Sequence, residues 1–548
     1  MKNWLMPDKD PFKAACKQCR TTMVAELTNL KSHAKGIKHK QMEAAEHTIP
    51  FLAADHLPDL LKECFPDSKI VQGINMKRTK TSAIVKNVIG VTAKEELSDI
   101  LKTRKFSILT DESTDISSVK TSCVVVRYFN QKTKIVVSKF WDLHPVYTEN
   151  ACIATAERLF TLLMESFSKF NIPEANIIGF GSDGCNVMMG ASNSVASRFK
   201  EKFPGIFVLK CVCHSAHLCA SDACKELPQN CEDFARNVFN FLKSSSKRQA
   251  EFLQFQSFLQ VEPHKILHPS QTRWLSLNLV IGRILEQWQA LKLYFTDIWL
   301  NQRLLCAEHI YKALNNPFTK LYFYFLEWIL PKFTRFNLYF QTQKVVITEL
   351  HDMVIELYQV VLLCFLKREY VTQNLTDVNP KNSQYQVIDR NLYLGAKVML
   401  HIDDKEIVDN NICRKDFFER CWKFLQNASC EIKKRYNMSD EVLSKLSILK
   451  PQNAVSLAYR ENCPSSIPLI KVVPRLVDND ILIQQIDDQW RNLPIALAKH
   501  PNEDIINLPV DTFLWKIQNY SNTFIELCTF ALDVMCLPHA NADCEWVF

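Results

Sequence analysis

The stretch Phe106-Ser-Ile-Leu-Thr-Asp111 decides the fold, because an apolar run of strand length ends there at a carboxylate. Residues 176–181 (NIIGFG) have the same form and are followed closely by Asp183. Short apolar, β-branched runs bounded by polar residues are typical of buried strands. We therefore expect Asp111 and Asp183 at the carboxyl ends of two strands.

Further elements are predicted on either side of these two strands. Residues 121–129 (TSCVVVRYF) and 134–141 (KIVVSKFW) are β-branched and aromatic, and a polar turn between them predicts a hairpin. In residues 149–170, apolar side chains recur every three or four positions, which indicates a helix. A short helix is expected at 185–199 and a fifth strand at 206–211 (IFVLKC).

The predicted order β-β-β-α-β-α-β is that of the RNase H-like fold, in which the first and fourth strands are neighbours. Carboxylates at the ends of those strands would meet at one edge of the sheet, where α/β sheets usually bind ligands. Glu545 is a third acid that could join them from more than 350 residues further on. Such a set offers the hard oxygen ligands that Mg²⁺ prefers, and two-metal sites of this kind act on phosphodiesters.

Composition limits the class of protein. The chain has 548 residues, 47% of them hydrophobic, with a net charge of +7, 10 Gly and 20 scattered Cys. This length predicts about two to four domains, and so few glycines favour helices. The apolar runs are far shorter than the roughly 18 residues of a membrane span, and the start has no apolar signal core. We expect an intracellular protein with reduced thiols and no membrane partner.

A zinc finger is predicted at the basic N-terminus, where residues 1–40 carry nine Lys or Arg against three acids. Cys16-x₂-Cys19 and His33-x₅-His39 have the types and order of a Cys₂His₂ site for a structural Zn²⁺. The second pair resembles the longer-spaced U1 and BED fingers. Neighbouring lysines would neutralise DNA phosphates; they are Lys31, Lys35, Lys38 and Lys40. A finger that docks a protein is the alternative.

The resulting fold class is α/β plus α, an RNase H-like mixed sheet interrupted by a large all-helical insertion, with a small N-terminal zinc finger. The finger covers 1–47 and a helical connector covers 48–103. The first part of the core covers 104–275. The strand signal then disappears, which predicts the insertion at 276–485, and 486–548 completes the core.

Five ordered blocks of the chain resemble those of hAT-superfamily transposases, in the animal branch that also supplied domesticated zinc-finger proteins. The blocks are 106–115 (FSILTDESTD), 178–190 (IGFGSDGCNVMMG), 211–214 (CVCH), 272–276 (TRWLS) and 537–548 (LPHANADCEWVF). The last block looks like the family's C-terminal dimerisation region. The resemblance covers almost the whole chain, the finger included.

The resemblance implies roles for individual residues. Asp111 and Asp183 correspond to the first two catalytic metal ligands and Glu545 to the third, with Mg²⁺ or Mn²⁺ as cofactor. Trp274 stands where the family has a tryptophan near the active site, and it could stack on an unpaired base. The implied partners are DNA and a second copy of the chain, or a higher homo-oligomer, in the nucleus, with no small-molecule substrate.

Several apolar side chains of the last segment have two readings. By period they are either core or a dimer face, and the resemblance favours the dimer face; they are Leu514, Trp515, Phe524, Phe530 and Val534.

Other acids and metal-capable residues compete for the same roles. Either aspartate could be a simple cap or turn residue, and Glu112 and Asp115 are interpreted as local capping groups. Glu286 is nearer in sequence than Glu545, but its run is typical of an exposed helix face.

A second zinc site is the remaining alternative. Cys211, His214 and His217 would supply its ligands. A strand-to-helix junction with buried Cys and hydrogen-bonded His is the interpretation we favour.

The chain departs from the family at its end. Trp546 stands where arginine is usual, and the sequence stops at Phe548, so we expect either a fragment or an early stop and a frayed Glu545. Two hypotheses follow. One is a transposase-like protein whose ancestral activity is metal-dependent DNA cleavage and strand transfer at terminal inverted repeats. The other is a domesticated, non-catalytic zinc-finger protein, a dimeric DNA-binding or recruitment factor in transcription or ubiquitin-like modification.

Overall fold

The computed structural model describes residues 50–548 except 115–118, 148–154, 269–275, 389–390, 499–504, 521, 546 and 548. Before residue 50 it describes the backbone of three short strands, β1 (Leu5–Pro7), β2 (Lys13–Cys16) and β3 (Thr22–Val24). The chain forms two compact units, Met1–Thr103 and Arg104–Phe548.

The first unit combines a small antiparallel sheet, in the order β1-β2-β3, with a run of helices. The helices are α1 (Leu57–Cys64), α2 (Lys69–Gln72), α3 (Arg78–Ile84) and α4 (Gly90–Thr103), with a π-helical turn at Val85–Ile89 between the last two. The segment that follows residue 50 is thus helical with polar breaks, as its sequence indicates.

The second unit is built on a five-stranded mixed sheet. Its strands are β4 (Phe106–Thr114), β5 (Lys120–Asn130), β6 (Ile135–Pro145), β7 (Ile177–Ser182) and β8 (Phe207–Lys210). The order is β6-β5-β4-β7-β8, with β4, β5 and β6 antiparallel and the pairs β4–β7 and β7–β8 parallel. The predicted pairing of the first and fourth strands is therefore confirmed.

The strand β4 runs past the point where its sequence pattern ends. Its parallel pairing with β7 stops at Thr110 opposite Ser182. Its antiparallel pairing with β5 continues to Thr114. Asp111 was predicted at the carboxyl end of this strand, but β4 continues three residues further to Thr114 because its pairing with β5 outlasts its pairing with β7.

The remaining elements of this unit are mostly helices. In chain order they are α5 (Ala156–Ser168), α6 (Asn186–Met189), α7 (Val195–Lys202), α8 (Val212–Cys224), α9 (Asn230–Lys243), α10 (Ser246–Phe258), α11 (Ser276–Glu286), α12 (Trp288–Gln302), α13 (Leu305–Asn315), α14 (Pro317–Phe340), α15 (Leu350–Leu362), α16 (Arg368–Gln373), α17 (Ala396–His401), α18 (Lys405–Val408), α19 (Asn411–Arg435), α20 (Glu441–Leu446), α21 (Pro451–Val455), α22 (Leu457–Asn462), α23 (Ile467–Val472), α24 (Asp480–Ala498), α25 (Val510–Tyr520), α26 (Ile525–Val534) and α27 (Ala542–Glu545).

The single helix predicted at 185–199 is instead two helices, α6 and α7. The Ser194 hydroxyl accepts a hydrogen bond from the Ser197 N–H at 3.0 Å, and the Ser197 hydroxyl accepts one from the Ser194 N–H at 2.9 Å. This reciprocal capping box satisfies the free N–H groups of a new helix start, so α7 begins afresh at Val195.

One face of the sheet is covered by α5 and α7 through aromatic contacts. Trp141 of β6 stacks on Phe167 of α5 with ring centroids 4.9 Å apart. Phe180 of β7 stacks on Phe199 of α7 at 4.4 Å. Contacts of this kind add about 1 kcal/mol each beyond the apolar area they bury.

The opposite face is covered by the end of the chain. A Cβ added to Gly179 would lie 2.8 Å from Pro538 Cδ, and one added to Gly181 would lie 2.9 Å from Pro538 Cβ. The two glycines of β7 therefore let the segment before α27 approach the sheet closely. The residues from Val534 to Cys544 are nearly all buried. The segment that precedes Glu545 is therefore packed against the sheet.

In the segment predicted as an insertion (276–485), the described residues form helices joined by loops, apart from one isolated bridge between Leu366 and Gln386. The helix α8, which follows β8 directly, contacts α14 and α19, so one continuous core runs from the sheet into the insertion. In the described part of the chain, no helix combines the length and the apolar character that a bilayer span requires.

Candidate carboxylate site

Two aspartates meet at the edge of the sheet where β4 and β7 are adjacent. Asp111 follows Thr110, which pairs with Ser182, and Asp183 directly follows Ser182. Leu109 and Asp111 are two residues apart in one strand and so share a face. Leu109 clusters there with Cys544, which places Asp111 on the face covered by the end of the chain.

The charges of two other carboxylates reach Asp111. Burial, the negative charge of Asp183 and, more weakly, that of Glu545 together raise the pKa of Asp111 to about 7, against a hydrogen bond from the Glu112 backbone N–H. Like charges disfavour one another's ionised form only at short range. Glu545 therefore lies within range of the Asp111 charge, although the two residues are more than 350 positions apart in the sequence.

Hydrogen bonds fix the segment that carries Glu545. The Asn541 side-chain amide donates to the Thr110 carbonyl at 2.7 Å, directly before Asp111. The Asn541 backbone N–H donates to the Cys211 thiol at 3.4 Å. The Glu545 backbone N–H donates to the Asn541 carbonyl at 3.2 Å, within the start of α27. Asn541 therefore ties Glu545 to β4 and to the end of β8.

A buried arginine anchors the same segment. Arg127, 1% exposed in the middle of β5, lies 3.8 Å from Asp543. Ser138 of β6 donates to Asp543 at 2.6 Å, and Arg127 donates to Ser138 at 3.3 Å. Burial raises the pKa of Asp543, and Ser138 and Arg127 oppose that rise. This network holds α27 against the hairpin.

The thiols around the site form two contacts. Cys544 and Cys123 are hydrogen-bonded, and burial together with that bond raises the pKa of Cys544. Cys211 and Cys213 are hydrogen-bonded at the start of α8, which lowers the pKa of Cys211 and raises that of Cys213. All four thiols are buried, whereas Asp111, Asp183 and Glu545 are partly exposed.

The second-zinc alternative concerns the same junction. Cys211 is buried at the start of α8, and the His214 ring lies 3.9 Å from where a Cβ on Gly184 would stand. The rings of His214 and His217 have centroids 6.4 Å apart. The junction places an imidazole close to the residue after Asp183.

The donor set of the three acids suits a hard divalent cation, because each offers carboxylate oxygens and their repulsion is relieved by positive charge. Among the described residues, however, no three His, Cys, Asp or Glu side chains converge closely enough to hold a metal ion as they stand. Asp183 and Glu545 are close enough to Asp111 to raise its pKa. To bind one metal ion together, Glu545 or the aspartates would have to move closer.

The competing acids are engaged elsewhere. Glu286 pairs with Arg283 at 3.0 Å and with His264 at 2.6 Å, on the surface of α11 as expected. Glu112 forms an ion pair with Lys120 across the β4–β5 ladder, and it is a strand residue rather than a cap. Asp115 lies outside the described residues.

Several predicted site residues also lie outside the described residues. They are Trp274, Cys19, His33, His39 and the lysines Lys31, Lys35, Lys38 and Lys40. Cys16 is the last residue of β2, which pairs antiparallel with β3. The zinc and DNA-contact roles stay predictions.

The apolar side chains predicted for a dimer face lie in the core of the single chain. Leu514, Phe524, Phe530 and Val534 are all buried, and Trp515 is partly buried with Lys134 over its ring at 4.0 Å. These side chains are therefore core residues. Homo-oligomerisation stays a prediction that must use another surface.

Sequence reasoning missed the residues that hold Glu545 in place. Arg127 interrupts an apolar strand run, and Asp543 precedes Glu545 by two residues, so a charge pair could have been suspected. Asn541 carries no such signal, because its role depends on contacts with β4 and β8.

Comparison with known proteins agrees with this fold. Residues 61–194, which include Asp111 and Asp183, match the family model described as "DUF4371: ZMYM1/FAM200, RNase-like domain". A Bos taurus protein, "General transcription factor II-I repeat domain-containing protein 2", is 23% identical over 229 residues, which is 41% of this chain. The match spans 23% of that relative's length. The mixed sheet and the RNase-like domain of the prediction are thereby confirmed.

Proposed function

We propose that the chain is a transposase-like nuclear DNA-binding protein whose carboxylate site derives from a metal-dependent DNA-cleaving centre. The observation that supports this proposal is the position of Asp111 and Asp183 on adjacent strands of an RNase-like sheet, with Glu545 near enough for its charge to raise the pKa of Asp111.

The residues of the site have separable tasks. Asp111, Asp183 and Glu545 would hold Mg²⁺ or Mn²⁺, which when bound activates an attacking oxygen and neutralises charge on the scissile phosphate. Because the pKa of Asp111 is raised to about 7, this carboxyl is only partly ionised near neutral pH, and a nearby positive charge would favour its ionised form. Asn541 would position Glu545 through its hydrogen bond to the Thr110 carbonyl.

DNA binding is assigned to the N-terminal unit together with the second unit. The Cys₂His₂ pattern and its lysines would supply contacts to phosphates without sequence information. The nuclear location rests on this DNA-binding role and on the relative whose name describes a general transcription factor repeat protein.

The alternative is a domesticated factor that binds DNA or recruits partners without cleaving. The same relative's name favours it, because that name describes a transcription-factor repeat and no nuclease. In this case the carboxylates are retained only as part of the fold, and the finger and a dimer surface carry the function.

A nicking assay separates the two functions. The zinc-loaded chain is incubated with supercoiled plasmid and Mn²⁺, and conversion to open circles is measured for the wild type, Asp183→Asn and the control Asp67→Asn, an exposed turn residue of the first unit. We expect nicking by the wild type and the control, and a loss of at least about 100-fold in Asp183→Asn.

Two outcomes contradict cleavage by this site. Equal nicking by Asp183→Asn would show that the activity comes from elsewhere. A folded chain that binds plasmid but nicks none of it would favour the recruitment alternative.

A further inference from the structure

A basic cavity of about 570 Å³ lies in the second unit beside β8. Its walls come from the end of α7, β8, the start of α8, the start of α15 and the chain between α19 and α20. The basic side chains among its described lining residues are Lys200, Lys210, Lys433, Lys434 and Arg435. Asp440 is the one carboxylate among those residues.

The positive charge of this basic cavity is largely uncompensated. Lys200 and Lys210 are exposed and form no ion pair in the described part of the chain. The Lys433 ammonium donates to the Val378 carbonyl at 2.8 Å, which leaves its charge in place. Three cationic groups thus face the basic cavity without a carboxylate partner.

The other charged groups of the lining are already engaged. Lys434 pairs with Glu431 at 3.2 Å, and Arg435 pairs with Glu431 at 2.8 Å and Asp222 at 2.7 Å. The Asp440 carboxylate accepts hydrogen bonds from the first N–H groups of α20 at 3.0 and 2.8 Å. The net field of the basic cavity is therefore positive, and its free cations are lysines.

One wall of the basic cavity lies one strand away from the carboxylates. Lys210 pairs with Ser182, the residue before Asp183, in the parallel ladder of β7 and β8. Neighbouring strands are about 4.8 Å apart, so the end of β8 adjoins the end of β7 that precedes Asp183. Lys210 is thus the lining residue of β8 that lies nearest to the carboxylates along the ladder.

We propose that the basic cavity binds the sugar-phosphate backbone of duplex DNA beside the phosphodiester presented to the carboxylates. This inference rests on the proposed function, because it takes the same DNA as the ligand of both sites. Lysines bind backbone phosphates as point charges, and Thr376, Asn437 and Ser439 add polar groups to the lining. The basic cavity positions the duplex, and the carboxylates act on it.

Lysine footprinting tests contact in the full chain. The zinc-loaded protein is acetylated with and without a 30-base-pair duplex, and modification of each lysine is measured by mass spectrometry. We expect duplex to reduce acetylation of Lys200 and Lys210 about fivefold or more. Lys415 and Lys471 are exposed lysines outside the basic cavity and should be unchanged.

Fluorescence anisotropy with the same labelled duplex tests the contribution to affinity. The double variant Lys200→Ala/Lys210→Ala should lose about tenfold in affinity, and the slope of log K against log salt should fall by about 2, since each phosphate contact contributes about one. The matched control Lys415→Ala/Lys471→Ala should bind as the wild type. Both lysine pairs lie at the surface, so neither double variant removes core contacts.

The outcomes separate this inference from the proposed function. Unprotected Lys200 and Lys210 with an unchanged salt slope would overturn the inference, and so would absence of duplex binding. Protection by inorganic phosphate or single-stranded RNA but not by duplex would overturn it too. Protected lysines in a chain that nicks no plasmid would sustain the DNA-binding cavity while the cleavage proposal fails.

Discussion

At the level of single residues, the position of the segment that carries Glu545 depends on one buried charge pair. Arg127 and Asp543 are 1% and 7% exposed, and several of their polar atoms have no hydrogen-bond partner in the described structure. A buried pair of this kind contributes little net stability, but loss of one partner leaves an uncompensated charge. Its role is to fix where the chain end lies on the hairpin.

Arg127→Met is expected to destabilise the second unit by about 3 kcal/mol, because it leaves Asp543 buried without its cation. Asp543→Asn in the same chain should recover part of that loss, since the amide carries no charge. Urea denaturation of the two single variants and the double variant measures the coupling. Strictly additive effects would show that the pair does not act as a unit.

At the scale of elements, the contact between β7 and the end of the chain decides whether Glu545 reaches the aspartates. Gly179 and Gly181 leave no side chain on the face that Pro538 covers. Any Cβ there must displace Pro538 or its neighbours. The absence of side chains at these two glycines therefore lets the terminal segment pack directly on β7.

Gly181→Ala should loosen that segment, because its Cβ would lie 2.8 Å from Leu109 Cδ2 and 2.9 Å from Pro538 Cβ. We expect a loss of about 1–3 kcal/mol and faster proteolysis after residue 537. Gly282→Ala is the matched control, because a Cβ at that helical glycine meets nothing within 4 Å. Equal proteolysis of both variants and the wild type would argue against the close approach.

Asp533, in the last turn of α26, is expected to make the stability of the fold depend on pH. Burial raises the pKa of Asp533 to about 7 against the opposing charges of Arg104 and Lys105. Between the unfolded pKa near 3.8 and about 7, the folded state holds a proton that the unfolded state has lost. The contribution of Asp533 to stability therefore falls as pH rises through this window.

Asp533→Asn removes that contribution. From about pH 5 to pH 8, we expect the melting temperature of the variant to fall about 2 °C less than that of the wild type. Calorimetry of both chains at the two pH values measures the difference, with Asp67→Asn as the unchanged control. A variant as pH-sensitive as the wild type would show that Asp533 ionises normally.

At the scale of the whole molecule, the sheet was predictable and the closing contacts were not. The β-branched runs located all five strands of the large sheet within about four residues, because strand period and composition are local properties. The extension of β4 depends on β5, and the break after α6 depends on a capping box, so neither is visible in periodicity. The apolar pattern at Leu514 and Phe530 fits a buried core and a dimer face equally well, so the sequence did not distinguish them.

The carboxylate set was predictable in part. Asp111 and Asp183 followed from strand ends and topology, whereas Glu545 came from a family resemblance, because no local pattern links α27 to β4. The roles of Asn541 and Arg127 in holding α27 depend on contacts between distant segments, so the sequence did not reveal them. The central claim is thus that a distant acid completes a divalent-cation site begun by two aspartates.

Titration of the zinc-loaded chain with Mn²⁺, followed by electron paramagnetic resonance of the free ion, tests this claim most directly. The account predicts saturable binding by the wild type and by Asp67→Asn, with affinity lowered about tenfold or more in Asp111→Asn, Asp183→Asn and Glu545→Gln alike. Binding by Glu545→Gln that equals the wild type, while the aspartate variants lose it, would contradict the claim.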